Sequence, residues 1–80
     1  MNIPYTSKVI RLERIDEIIA FVNNAMAVSE GEVYVKRDRY SVNGTSLMGL
    51  ISIDVAKGIT VEYPSSATEF EAFLNEFEVE

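Results

Sequence analysis

Cysteine, histidine and tryptophan are all absent from this 80-residue chain. Without cysteine there is no disulfide framework, no zinc–thiolate site and no thiol nucleophile. Without histidine the commonest general base and the commonest metal ligand are gone, along with every histidine-dependent triad. No cofactor and no metal are therefore expected, and the composition points away from an enzyme and towards a binding, carrier or regulatory module. Basic residues are scarce as well: 7 Lys and Arg stand against 13 Asp and Glu, a net charge of −6. That balance argues against nucleic acid, whose phosphates need a basic patch, and against an anionic membrane surface. No apolar run approaches the ~18 residues of a membrane span, and the start of the chain lacks the basic and apolar regions of a targeting segment. A cytoplasmic location is expected.

Hydrophobic residues make up 48% of the chain, enough for a packed core and too many for a disordered tail. The length suits a single domain, residues 1–80, since two would each be too small to bury a core.

The hydrophobic pattern predicts seven elements. Residues 4–12 read as a strand, with Ile10 and Leu12 on one face. Residues 13–28 read as a helix: Ile15, Ile18, Ile19, Val22, Ala25 and Met26 recur at helical spacing, with Phe21 at the margin of the stripe. Glu32–Lys36 alternates as a strand, Lys36–Arg39 turns, and Tyr40–Val42 returns as its hairpin partner before Asn43-Gly44 breaks the run. Residues 46–55 read as a short helix on Leu47, Leu50 and Ile51, N-capped by Thr45 or Ser46. Ile59–Tyr63 is a strand. Residues 67–78 form the last helix, with Ser66-Ala67-Thr68-Glu69 as a capping box and Phe70, Phe73, Leu74 and Phe77 on one stripe. The expected core is Ile10, Ile15, Ile18, Ile19, Val22, Val33, Val35, Leu50, Ile51, Ile59, Val61, Phe70, Phe73, Leu74 and Phe77. The order βαββαβα implies an α+β fold, an open-faced two-layer sandwich with helices on one side of the sheet. Architecture alone does not assign a function.

Within Tyr40–Tyr63, the run Ser46-Leu47-Met48-Gly49-Leu50-Ile51-Ser52, followed by Ala56-Lys57-Gly58 and Ile59-Thr60-Val61, resembles the second half of HPr, the histidine-containing phosphocarrier of the bacterial sugar phosphotransferase system. The element order agrees along nearly the whole chain. The resemblance implies an HPr-like domain, and the first half departs from it. The family carries its phosphoryl group on a histidine at the entrance to the first helix. Ungapped alignment places Ile15 at that histidine and Glu17 at the arginine that follows it, a degenerate phosphohistidine site. Glu13, Asp16 and Glu17 also bring negative charge to a place where a phosphoryl group needs donors and positive charge.

One regulatory residue carries over by resemblance. In Gram-positive members the serine opening the second helix is phosphorylated by a dedicated ATP-dependent kinase, and Ser46 stands at that position. A helix N-cap explains the same serine. The family's docking surface for the kinase and for a repressor of carbon catabolism maps to Leu47, Met48 and Leu50. Met48 lies off the apolar stripe, where it serves either as an adaptable contact or as a core gap-filler. Two functions follow: a regulatory or binding module controlled through Ser46, and a scaffold or oligomerising domain with no phosphotransfer role.

Overall fold

The computed structural model describes residues 3–79. Strand β1 (Tyr5–Ile10) is followed by helix α1 (Ile15–Met26), strands β2 (Tyr34–Arg37) and β3 (Tyr40–Asn43), helix α2 (Leu47–Ser52), strand β4 (Ile59–Pro64) and helix α3 (Thr68–Asn75). The strands form one antiparallel sheet in the order β1-β4-β2-β3. This is the α+β open-faced sandwich that the βαββαβα order implies.

Alternation along the strands sets the two faces. Ile10, Val35, Ile59, Val61 and Tyr63 point to the helices and are buried. Their neighbours Ser7, Val9, Lys36, Thr60 and Glu62 take the outer face. The β2–β3 turn is only Asp38-Arg39, because Lys36 and Arg37 belong to β2. Asp38 adopts φ of 56°, a left-handed conformation that a short polar side chain tolerates.

The helices depart from the sequence pattern in instructive ways. On α1, Ile18, Phe21, Val22 and Ala25 are buried, whereas Ile15 and Ile19 are exposed. Phe21, expected at the margin, is fully enclosed and meets Phe70 edge-to-face with centroids 5.5 Å apart. The apolar sector of α1, from Phe21 round to Ile19, spans roughly 160° at ~3.6 residues per turn. The sheet and α3 cover its Phe21 side, and the Ile15–Ile19–Met26 flank is left outside. On α2 the buried residue is Leu50, and Ile51 is exposed. The expected helix over 46–55 ends at Ser52, and Val55–Lys57 form a separate 3-10 turn. Phe73 and Phe77 are half-buried against the core. The Ser66–Glu69 capping box does not form: Ala67 is the N-cap of α3, and the Ser66 hydroxyl donates to the Glu30 carboxylate.

Tyr63 is the one fully enclosed phenol, and its Oη donates to Glu71 Oε2 at 2.7 Å. Burial first, and then this bond to a carboxylate, hold its pKa well above the ordinary value near 10. The folded chain thus keeps the phenolic proton more tightly than the unfolded chain does. Its contribution to stability is complete below pH ~10 and is lost as pH rises towards the folded value. Urea midpoints measured from pH 8 to 11 are expected to fall above pH ~10, and Tyr63→Phe to flatten that fall. Tyr34, whose pKa is raised first by the Glu32 carboxylate and then by burial, adds to the remaining slope.

Candidate functional site

The entrance to α1 is built from backbone amides and the side chains that satisfy them. Arg14 is the extended N-cap residue. Glu17 reaches back one turn, so that its Oε1 accepts from the Glu13 amide at 2.8 Å and from the Arg14 amide at 3.3 Å. The Arg14 guanidinium donates to both Asp16 carboxylate oxygens, each at 3.1 Å. Free amides and positive charge make a helix N-terminus receptive to anions. Here the Glu17 carboxylate takes the amides of Glu13 and Arg14 at the mouth of the helix, and the Asp16 carboxylate holds the nearest cation. Ile15, on the first turn, is 56% exposed and offers no nucleophile.

The start of α2 is a side-chain-capped turn. Ser46 is extended (φ −98°, ψ 100°), and its Oγ accepts from the Gly49 amide at 3.1 Å. The preceding Asn43 Oδ1 accepts from the Thr45 amide and hydroxyl at 2.9 and 2.6 Å. Asn43-Gly44 therefore folds back as a tight turn that ends β3 and sets Ser46 at the helix start. Glycine is required at 44, since a Cβ there would lie 2.6 Å from Val33 Cγ1. Ser46→Ala removes the acceptor for the Gly49 amide. It is expected to lower stability by about 1 kcal/mol, the usual worth of a serine cap, read from the urea midpoint. Ser46→Asp keeps an acceptor and restores most of that loss.

The large apolar side chains left exposed along these two helices are the most unusual feature of the molecule. Ile15, Ile19 and Met26 on α1 and Leu47, Met48 and Ile51 on α2 are all exposed, Met48 by 79% and Ile51 by 51%. The two helices lie in contact. Charge on them is confined to Asp16 and Glu17, with no basic residue in either. Of the expected docking residues, Leu47 and Met48 are exposed. Leu50 is not: it is fully enclosed in the core, so no partner can touch it, and Ile51 takes its place on the face. The sequence stripe assigned Ile15, Ile19 and Ile51 to the core. The signal against that assignment was the breadth of the α1 stripe, too wide for one buried contact once Phe21 is counted.

The described residues contain no group of acidic side chains arranged to hold a metal ion. No described helix is long and apolar enough to cross a membrane.

No protein-family model and no curated protein sequence matches the chain. Two solved structures share its fold. One is the crystal structure of a phosphocarrier protein HPr from Bacillus anthracis str. Ames, with a TM-score of 0.69 and 22% identity over 91% of this chain and 96% of that one. The other is the crystal structure of HPr-C-His from Thermoanaerobacter tengcongensis, with a TM-score of 0.64 and 22% identity over 91% of this chain and 88% of that one. The HPr fold expected from the Ser46 region is thus the fold observed.

Proposed function

We propose that this chain is a single-domain, HPr-like regulatory module that docks protein partners through the α1–α2 face and carries no phosphate on histidine. The observation that carries this reading is the set of six large apolar side chains exposed on two touching helices. A small soluble domain rarely leaves such a patch uncovered unless something binds it. Methionine at its most exposed point suits a surface that adapts to more than one partner. By resemblance, those partners are a serine kinase and a repressor of carbon catabolism.

Ser46 is proposed as the switch. A phosphate on its hydroxyl adds about −1.5 to −2 charges at a helix N-terminus, where the dipole and free amides favour it. The fold tolerates the group, and its effect falls on Leu47 and Met48 beside it, favouring partners with a basic rim. The histidine route is closed by composition and by the Glu17 carboxylate at the entrance of α1.

The test has two arms. Incubation with phosphoenolpyruvate and the first enzyme of the sugar system is expected to give no acid-labile phosphate. Incubation with ATP and the serine kinase that acts on HPr is expected to add one phosphate, read by intact mass and absent from Ser46→Ala. An unchanged mass in the second arm leaves Ser46 as a helix cap and favours the scaffold function instead.

A further inference from the structure

The turn that ends β3 also holds a reactive pair of residues. Of the five asparagines in the sequence, Asn43 alone precedes a glycine. An asparagine carboxamide is open to attack by the backbone nitrogen that follows it, and glycine, having no Cβ, hinders that attack least. The nucleophile, the electrophile and the leaving group therefore lie in one dipeptide: the Gly44 nitrogen, the Asn43 Cγ and the Asn43 Nδ2. The fold holds each of them in another bond. The Gly44 amide donates to the Val33 carbonyl at 2.7 Å, and Gly44 is buried. Asn43 Oδ1 accepts from the Thr45 amide and hydroxyl, and Nδ2 donates to Glu32 Oε1 at 2.8 Å. The Asn43 carbonyl accepts from the Ser46 amide at 3.0 Å. Attack needs the Gly44 nitrogen to give up its proton and the carboxamide to swing onto it, so these bonds must break first.

We propose that Asn43 is a deamidation site gated by this turn: preserved while the turn is closed, converted when it opens. In the open turn the Gly44 nitrogen bonds to Asn43 Cγ. The Cγ–Nδ2 bond breaks, and Nδ2 leaves as ammonia with the Gly44 amide proton. The resulting five-membered imide takes up one water. Opening at Cγ leaves aspartate at position 43. Opening at the backbone carbonyl carbon leaves isoaspartate, with the main chain rerouted through Cγ. Nothing is oxidised or reduced.

Conversion also acts on the fold. Aspartate keeps the acceptor that Thr45 uses, but it replaces the donor facing Glu32 with a second carboxylate oxygen, and like charges so close repel. Isoaspartate adds one carbon to the main chain before the Gly44 nitrogen, which takes the Gly44 amide out of register with Val33. The Ser46 amide is bound to the Asn43 carbonyl, so either product disturbs the first turn of α2. The chemistry thus records past openings of the β3–α2 turn and weakens the turn that it has recorded.

The experiment follows the unaltered full chain in one mildly alkaline buffer, with and without enough urea to unfold it, by peptide mapping and by enzymatic methylation of isoaspartate. Asn43 is expected to convert at least about tenfold faster in urea, since the folded chain reaches the reactive form only by opening. Asn24, followed by alanine, is expected to stay intact over the same time. Thr45→Ala removes one bond to Oδ1 and is expected to speed conversion of the folded chain about two- to tenfold. Asn43→Asp is expected to lower the thermal midpoint by about 4–8 °C, and Glu32→Gln added to it to recover most of that loss. Equal rates with and without urea, or an unchanged rate in Thr45→Ala, overturn the gating. No conversion in urea, or conversion of Asn24 at the same rate, overturns the site itself. An Asn43→Asp chain that melts at the unaltered temperature, or one that Glu32→Gln does not improve, overturns the effect on the turn.

Discussion

Phe21→Ala is expected to destabilise the chain by about 3–5 kcal/mol, the range for removing a large aromatic from a closed core. Against a typical total of about 5–15 kcal/mol, that brings the protein close to unfolding at 37 °C. The ring is fully enclosed. It contacts Phe70 at 5.5 Å edge-to-face and Phe73 at 6.4 Å, and Phe70 in turn meets Tyr63 at 5.7 Å. Removing it takes away the ring that joins α1 to α3, and the remaining aromatic rings cannot close the void without leaving their own contacts. Phe73→Ala serves as the comparison. Its ring lies on the same stripe of α3 as Phe70 but is half-buried, so its loss is expected to be clearly smaller. Urea denaturation of the two variants checks the order. Equal losses, or a larger one for Phe73→Ala, would show that the core is not centred where the structure places it.

Phe21 also marks the boundary of what the sequence makes legible. The strands are readable because a half-buried sheet enforces alternation: Val33 and Val35, and Ile59, Val61 and Tyr63, all face inward as their spacing demands. Ser46 is readable as a cap, because Asn43-Gly44 stops one element and the apolar spacing after it starts the next. Helix orientation is less legible. On α1, Ile15, Ile18, Ile19 and Val22 satisfy a helical stripe, and so do Ile18, Phe21, Val22 and Ala25. The second set wins because Phe70 and Phe73 on α3 complement Phe21, a partnership fixed by tertiary packing. On α2, six residues make fewer than two turns, too few for spacing to decide whether Leu50 or Ile51 faces in.

Placing glutamate at Ile19 and Ile51 together is expected to abolish docking while leaving the fold intact. Both side chains are exposed, by 45% and 51%, and surface substitutions usually change stability by less than about 0.5 kcal/mol. Thermal unfolding of the double variant is therefore expected within a few degrees of the unaltered chain. Binding obeys different arithmetic. A charge forced into the centre of an apolar contact loses a desolvated anchor and buries an unpaired carboxylate, and central anchors are worth about 2 kcal/mol or more each. Phosphorylation of Ser46 by the serine kinase is expected to slow at least about thirtyfold at sub-saturating protein. Ser7→Glu, exposed on the outer face of the sheet, is the control for added charge and is expected to leave that rate unchanged. Leu50→Glu is the control for a core position and is expected to unfold the chain. An Ile19, Ile51 double variant that loses its fold would return both residues to the core. One that folds and is phosphorylated at the unaltered rate would remove the α1–α2 face as the docking surface, since the kinase would then reach Ser46 without touching the apolar side chains beside it.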